Sequence, residues 1–105
     1  MATSKIKCLQ SRLKVASSRL RDIEVAANSG PHYADITIGE DGYIPLGIVG
    51  WRFGNASTDA ANSSMPKAYQ AYIVNSTTAR IAYRYDHTSD GKFDVLVDVL
   101  YQKNN

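Results

Sequence analysis

Cysteine is all but absent from this sequence: Cys8 is the only one, so no intrachain disulfide can form and no cysteine-based metal site can be built. Histidine is nearly as scarce. His32 follows Pro31 in a turn and His87 lies in Asp86-His87-Thr88-Ser89-Asp90, and lone histidines in separate loops do not make a metal site. That second segment has some of the oxygen ligands of a calcium loop, but neither the regular spacing nor the terminal glutamate. No run of about 20 apolar residues exists, so no membrane insertion is expected. No apolar stretch of signal-peptide length follows the N-terminal lysines, and synthesis in the cytoplasm without export is the expectation. The sequons Asn55-Ala56-Ser57, Asn62-Ser63-Ser64 and Asn75-Ser76-Thr77 then read as polar loop residues. No phosphate-cradling loop of the P-loop or dinucleotide kind occurs, and no cofactor is expected. A formal net charge of +2 is too small an excess for a nucleic-acid partner.

What is present begins with a spacing. Ile6, Leu9, Leu13, Ala16, Leu20 and Ile23 follow at alternating intervals of three and four, the a/d pattern of a heptad. Six of the twelve basic residues, Lys5, Lys7, Arg12, Lys14, Arg19 and Arg21, lie in the same stretch and read as a solvated face. The spacing predicts a helix from about residue 4 to 18, capped by Thr3 or Ser4, and assigns residues 1–20 to a helical coiled-coil stalk. Leucine at a positions moves such a seam toward more than two chains. The seam is short, and the competing expectation is one amphipathic helix packed on its own domain. From Arg21 to Ala27 the pattern also reads as alternation, which predicts a first strand and leaves residues 19–27 open between helix and strand.

From Tyr33 onward the apolar period is two, the signature of strands. Strands are expected at about 33–38, 43–53, 68–74, 79–85 and 93–101, separated by Gly39-Glu40-Asp41-Gly42, the small-polar run from Gly54 to Pro66, Asn75-Ser76-Thr77-Thr78, and Asp86 to Lys92. Pro45, Gly47 and Gly50 inside the second of these argue for a bulged, bent or edge strand. In the last, Phe93, Val95, Val97, Val99 and Tyr101 share one side. Leu96 and Leu100 join Asp94 and Asp98 on the other, so that side is expected to be partly covered. The fold class is mainly β: a small antiparallel β-sandwich of about six strands over residues 21–105, behind the helical stalk.

Seven tyrosines and one tryptophan stand against two phenylalanines. Such residues pair an apolar body with a polar handle and suit both subunit contacts and ligand surfaces. Tyr83, Arg84 and Tyr85, beside Asp86 and His87, fit a stacking platform. The competing reading puts Tyr83 and Tyr85 on the inner face with Ile81 and leaves Arg80 and Arg84 outward. Trp51 divides equally between core and interface.

The order of these features, a heptad segment, then "ADITI", "GYIPLGIVGWRFGNAS", a Ser/Asn loop, "AYQAYIVN", "ARIAYRY" and "KFDVLVDVLYQK", resembles the C-terminal head domains of tail-fibre and baseplate-associated proteins of phages and prophages of Gram-positive, gut-type bacteria. The likeness covers about residues 33–103 and is most specific at Gly42 to Trp51 together with Val99-Leu100-Tyr101. It implies a homotrimeric head on a coiled-coil stalk that contacts a host cell-surface glycan or protein. The chain is short and has its own start, which also suits a free-standing phage product, in the virion or in the host cytoplasm during infection. On this reading Ile6, Leu9, Leu13, Ala16, Leu20, Trp51, Leu96 and Leu100 are the candidate oligomer interface. Arg52, Asn55, Arg84, Tyr85 and His87 are the candidate ligand-binding residues, in or beside the Gly54 to Pro66 and Asp86 to Lys92 loops at the free end of the sandwich.

Two other function classes compete. One is a small phage-encoded interaction protein that inhibits a host defence or signalling factor through its basic N-terminal helix. The other is a carbohydrate hydrolase, for which Asp35, Asp94 and Asp98 are the available strand carboxylates. Asp94 and Asp98, four apart in one strand, stand about 13 Å apart at the standard rise, wider than the about 5–10 Å that paired acids need. No enzyme is expected.

Overall fold

The computed structural model describes residues 12–54 and 65–104. Alternation of apolar residues makes each stretch a strand with one inward side, and six result: β1 (Leu13–Val25), β2 (Ser29–Thr37), β3 (Tyr43–Gly54), β4 (Lys67–Asn75), β5 (Thr78–Tyr85) and β6 (Gly91–Lys103). They form two three-stranded antiparallel sheets, the first in the order β1-β6-β3 and the second in the order β2-β5-β4. The fold is mainly β, and the five strands expected after Tyr33 stand within a few residues of where the period of two put them.

The two central strands are the most buried. Phe93, Val95, Val97, Val99 and Tyr101 of β6 pack in one cluster with Ala79, Ile81, Tyr83 and Tyr85 of β5, while Ala34, Ile36 and Val25 join from the edges. The sheets therefore lie face to face around a single core. Tyr101, wholly buried, keeps its hydroxyl satisfied by accepting the Gly39 N–H at 3.0 Å. Between β4 and β5 the chain turns on Ser76 and Thr77, where the Asn75 carboxamide oxygen accepts the Thr77 N–H at 2.9 Å, an Asx-type turn.

The helix expected over about residues 4–18 is overturned where it is described: Leu13 to Ser18 belong to β1, which pairs with β6 along its whole length. Residues 4–11, with Ile6, Cys8 and Leu9, lie outside the described residues. The boundary expected at residue 20 falls in the middle of this strand. An interval of four is even, so Ala16 and Leu20 share a strand face as readily as a helix face. The odd intervals are absorbed in two ways. Leu13 turns to the outer face, in register with Gln102, while Ala16 faces inward opposite Val99. Between Leu20 and Ile23 a β-bulge adds one residue opposite Asp94, which returns Ile23 to the core side opposite Phe93. Asp22 takes a positive φ of 56° there and donates its N–H to Asp94 Oδ1 at 3.0 Å. Pairing decides the outcome, because β6 is apolar on both sides and needs a ladder partner on both edges.

Every irregularity of register lies on an edge strand. β3 carries two bulges, between Pro45 and Gly47 and between Ile48 and Gly50, and β4 two more, between Ala68 and Gln70 and between Ile73 and Asn75. Bulges on edges twist the free backbone away from pairing with another chain.

Candidate functional site

β5 points Thr78, Arg80, Ala82 and Arg84 away from the core, because Ala79, Ile81, Tyr83 and Tyr85 take the inner side. Register then places Asp35 of β2 and Tyr72 of β4 on either side of Arg80, and Tyr33 and Gln70 on either side of Ala82. Arg80 grips Asp35 with two parallel hydrogen bonds, Nε to Oδ1 at 2.6 Å and Nη2 to Oδ2 at 3.0 Å. This forked geometry is the strong form of a guanidinium–carboxylate pair. It holds the Asp35 carboxyl below the usual carboxylate range. The same contact, followed by a hydrogen bond that Arg80 donates to the Tyr72 hydroxyl oxygen, raises the guanidinium above its ordinary value. Tyr33, Asp35, Tyr72 and Arg80 line one shallow open depression. Tyr33 is 62% exposed, Tyr72 37%, and Tyr69, at the adjacent bulge, 55%.

This arrangement presents phenol rings to solvent around a polar pair whose charges cancel. It can stack against the apolar face of a flat ligand and exchange hydrogen bonds with its hydroxyl or amide groups. Asp35 is committed to Arg80. On the other sheet, Asp98 accepts hydrogen bonds from the Ser17 hydroxyl and from Arg52 at 3.1 Å, and these hold its carboxyl low, Ser17 most. Asp94, almost wholly buried, has Arg19 at 3.5 Å and Arg21 at 3.9 Å. The three strand carboxylates thus stand on opposite faces of the molecule, each held by arginine. Among the described residues no group of His, Cys, Asp and Glu is arranged to hold a metal ion.

The ligand-binding residues expected from the sequence are not brought together. Arg52 pairs with Asp98 on the outer face of the first sheet, whereas Arg84 is exposed on the outer face of the second. Tyr85 is wholly buried, edge-on to Phe93 at 5.2 Å between ring centres, so it is a core residue. His87 stacks on Tyr85 at 6.0 Å, and its Nδ1 accepts the Ser89 N–H at 3.1 Å. That loop is also tied down by Asp90, whose Oδ1 accepts the Ala27 N–H at 2.9 Å. Asn55 lies outside the described residues.

Of the expected interface, Ala16 and Leu20 pack inward against the core. Leu13 and Trp51 are exposed, and Leu96 and Leu100 are half-buried on the outer side of β6.

Sequence reasoning missed Tyr33, Asp35, Tyr72 and Arg80 as one group. A signal was there: Ala34-Asp35-Ile36, Ala71-Tyr72-Ile73 and Ala79-Arg80-Ile81 are the same Ala-X-Ile triplet on three strands. Each X is pushed outward by its apolar neighbours, and pairing lines the three up in one row. No protein-family model, curated protein or solved structure matches this chain.

Proposed function

We propose that this chain is a non-enzymatic binding domain, a phage or prophage head that self-associates, as a homotrimer in the simplest form of the resemblance, and contacts a host-surface ligand through the outer face of its second sheet. The observation that carries the reading is the row Asp35–Arg80–Tyr72 with Tyr33 beside it. Solvent-facing tyrosines around a fully paired guanidinium and carboxylate favour recognition over catalysis, since neither charged group is free to transfer a proton. A neutral glycan suits this face: its C–H faces stack on phenol rings and its hydroxyls hydrogen-bond to Tyr, Arg and Asp. The competing reading, docking through a basic helix, has less support, because Arg19 and Arg21 lie on β1 beside Asp94.

The test is a glycan and cell-wall fragment panel probed with the intact chain and with Tyr72→Ala and Tyr33→Ala. Both rings are exposed, so the fold should survive. A loss of binding of about tenfold or more in each, on the scale of one ring contact, is the expected result. Binding by the intact chain that both variants retain, or no binding to any member of the panel, rejects the reading.

A further inference from the structure

The outer face of the first sheet is the other exposed surface with a built character. Across it, Leu100 has Val15 on one side and Gly47 on the other, and Asp98 has Ser17 and Gly50. Around this centre Leu13, Val15, Ile44, Leu46 and Val49 are each between 43% and 58% exposed. Single exposed aliphatics are ordinary, but a contiguous sheet face of them is a contact surface.

We propose that a second copy of this chain covers this face, sheet against sheet. The inference rests on the self-association part of the proposed function, gives it as a face-to-face pair in place of the trimer, and is independent of its ligand. Shape comes first. Gly47 and Gly50 put no side chain on the β3 side of Leu100 and Asp98, and a Cβ on Gly50 would stand 3.0 Å from Asp98 Oδ2, so that side stays low and another sheet can approach to the usual about 10 Å.

Charge is the second consideration. Asp98 is neutralised within the protomer by Arg52 and Ser17, and Asp94 by Arg19, Arg21 and the Asp22 N–H. Covering the face therefore buries no unpaired carboxylate, the usual obstacle to burying a charged surface. Arg19, Arg21 and Arg52 exceed Asp94 and Asp98 by one charge, too little to call for an acidic partner, whereas a copy with the same apolar face does match it.

Area is the third. Three strands at about 4.8 Å spacing, with a central strand about 44 Å long at about 3.4 Å per residue, give a face of about 600 Å². Two such faces bury about 1,200 Å², the lower end of what stable protein pairs use. Of the leucines near the N-terminus, Leu13 stands on this face, exposed and in register with Gln102.

The experiment is light scattering of the intact chain with Val15→Arg and Val49→Arg, each at a site more than half exposed, so that folding is undisturbed and circular dichroism can verify it. The intact chain should have the mass of two or more 11.5 kDa chains, and both folded variants should fall to one. An intact chain that is already monomeric, whether bare or with its own residues 1–11 on this face, overturns the proposal. So does an assembly that both arginines leave unchanged. A monomer that still binds glycan through Tyr72 rejects this inference and leaves the binding reading standing. An assembly split by Val15→Arg that binds no glycan does the reverse.

Discussion

Gly91 lies so close to the ring of Phe93 that a Cβ on it would stand 2.6 Å from Cε2 and 2.8 Å from the Tyr85 hydroxyl. Both rings are wholly buried, so neither has room to retreat. Gly91→Ala should therefore destabilise the fold by about 1–3 kcal/mol, as overpacking does, and lower the denaturant midpoint without changing the slope. An unchanged midpoint would contradict this packing where β6 begins.

Asp22 distinguishes strand from helix in the first element. Its φ of 56° is reached freely by glycine, less easily by aspartate, and at a cost of about 1–2 kcal/mol by a β-branched residue. Asp22→Gly should leave thermal stability unchanged or higher, and Asp22→Val should lower it by about that amount. A helix would reverse the order, since glycine is the worse residue in a helix interior.

Acid should unfold the protein through two arginine-paired carboxylates. Asp35 and Asp98 both have folded-state values below the ordinary 3.8. Their stabilising contribution is therefore complete above that value and is lost as pH falls through the lower, folded one. Melting temperature should be insensitive to these groups near neutrality and decline below about pH 4. Because both carboxylates are partly exposed, the decline should be modest and weaken in salt. The double variant Asp35→Asn, Asp98→Asn should show a shallower acid limb, and an identical limb would remove these pairs from the explanation. At the alkaline end, the Glu40 hydrogen bond raises Lys14 above its ordinary 10.5, so that contact persists until pH exceeds the raised value.

Legibility in the sequence followed the range of the interaction. The strands after Tyr33 were readable because alternation of Phe93, Val95, Val97, Val99 and Tyr101, or of Ala79, Ile81, Tyr83 and Tyr85, is a local pattern imposed by side chains pointing to opposite faces. The edge character of β3 was readable from Pro45, Gly47 and Gly50. The first element was not, because a heptad and a bulged strand share the same even intervals, and only the outward turn of Leu13 and the extra residue between Leu20 and Ile23 separate them. The candidate ligand residues stand apart for a related reason. Tyr85 is the neighbour of Arg84 in the chain, but a strand sends adjacent residues to opposite faces.

By itself, then, the sequence determined which segments after Tyr33 are strands and which of their sides are apolar, since both follow from the two-residue repeat of an extended backbone. It also excluded an intrachain disulfide and a metal site built from several cysteines of the chain. Only the tertiary structure decided that β1 is drawn into the sheet by β6, that Asp35, Arg80 and Tyr72 form one row, and that Val15, Leu100 and Gly47 share another. Those are matters of register between strands far apart in the chain, settled by backbone pairing and core burial together, which no local spacing encodes.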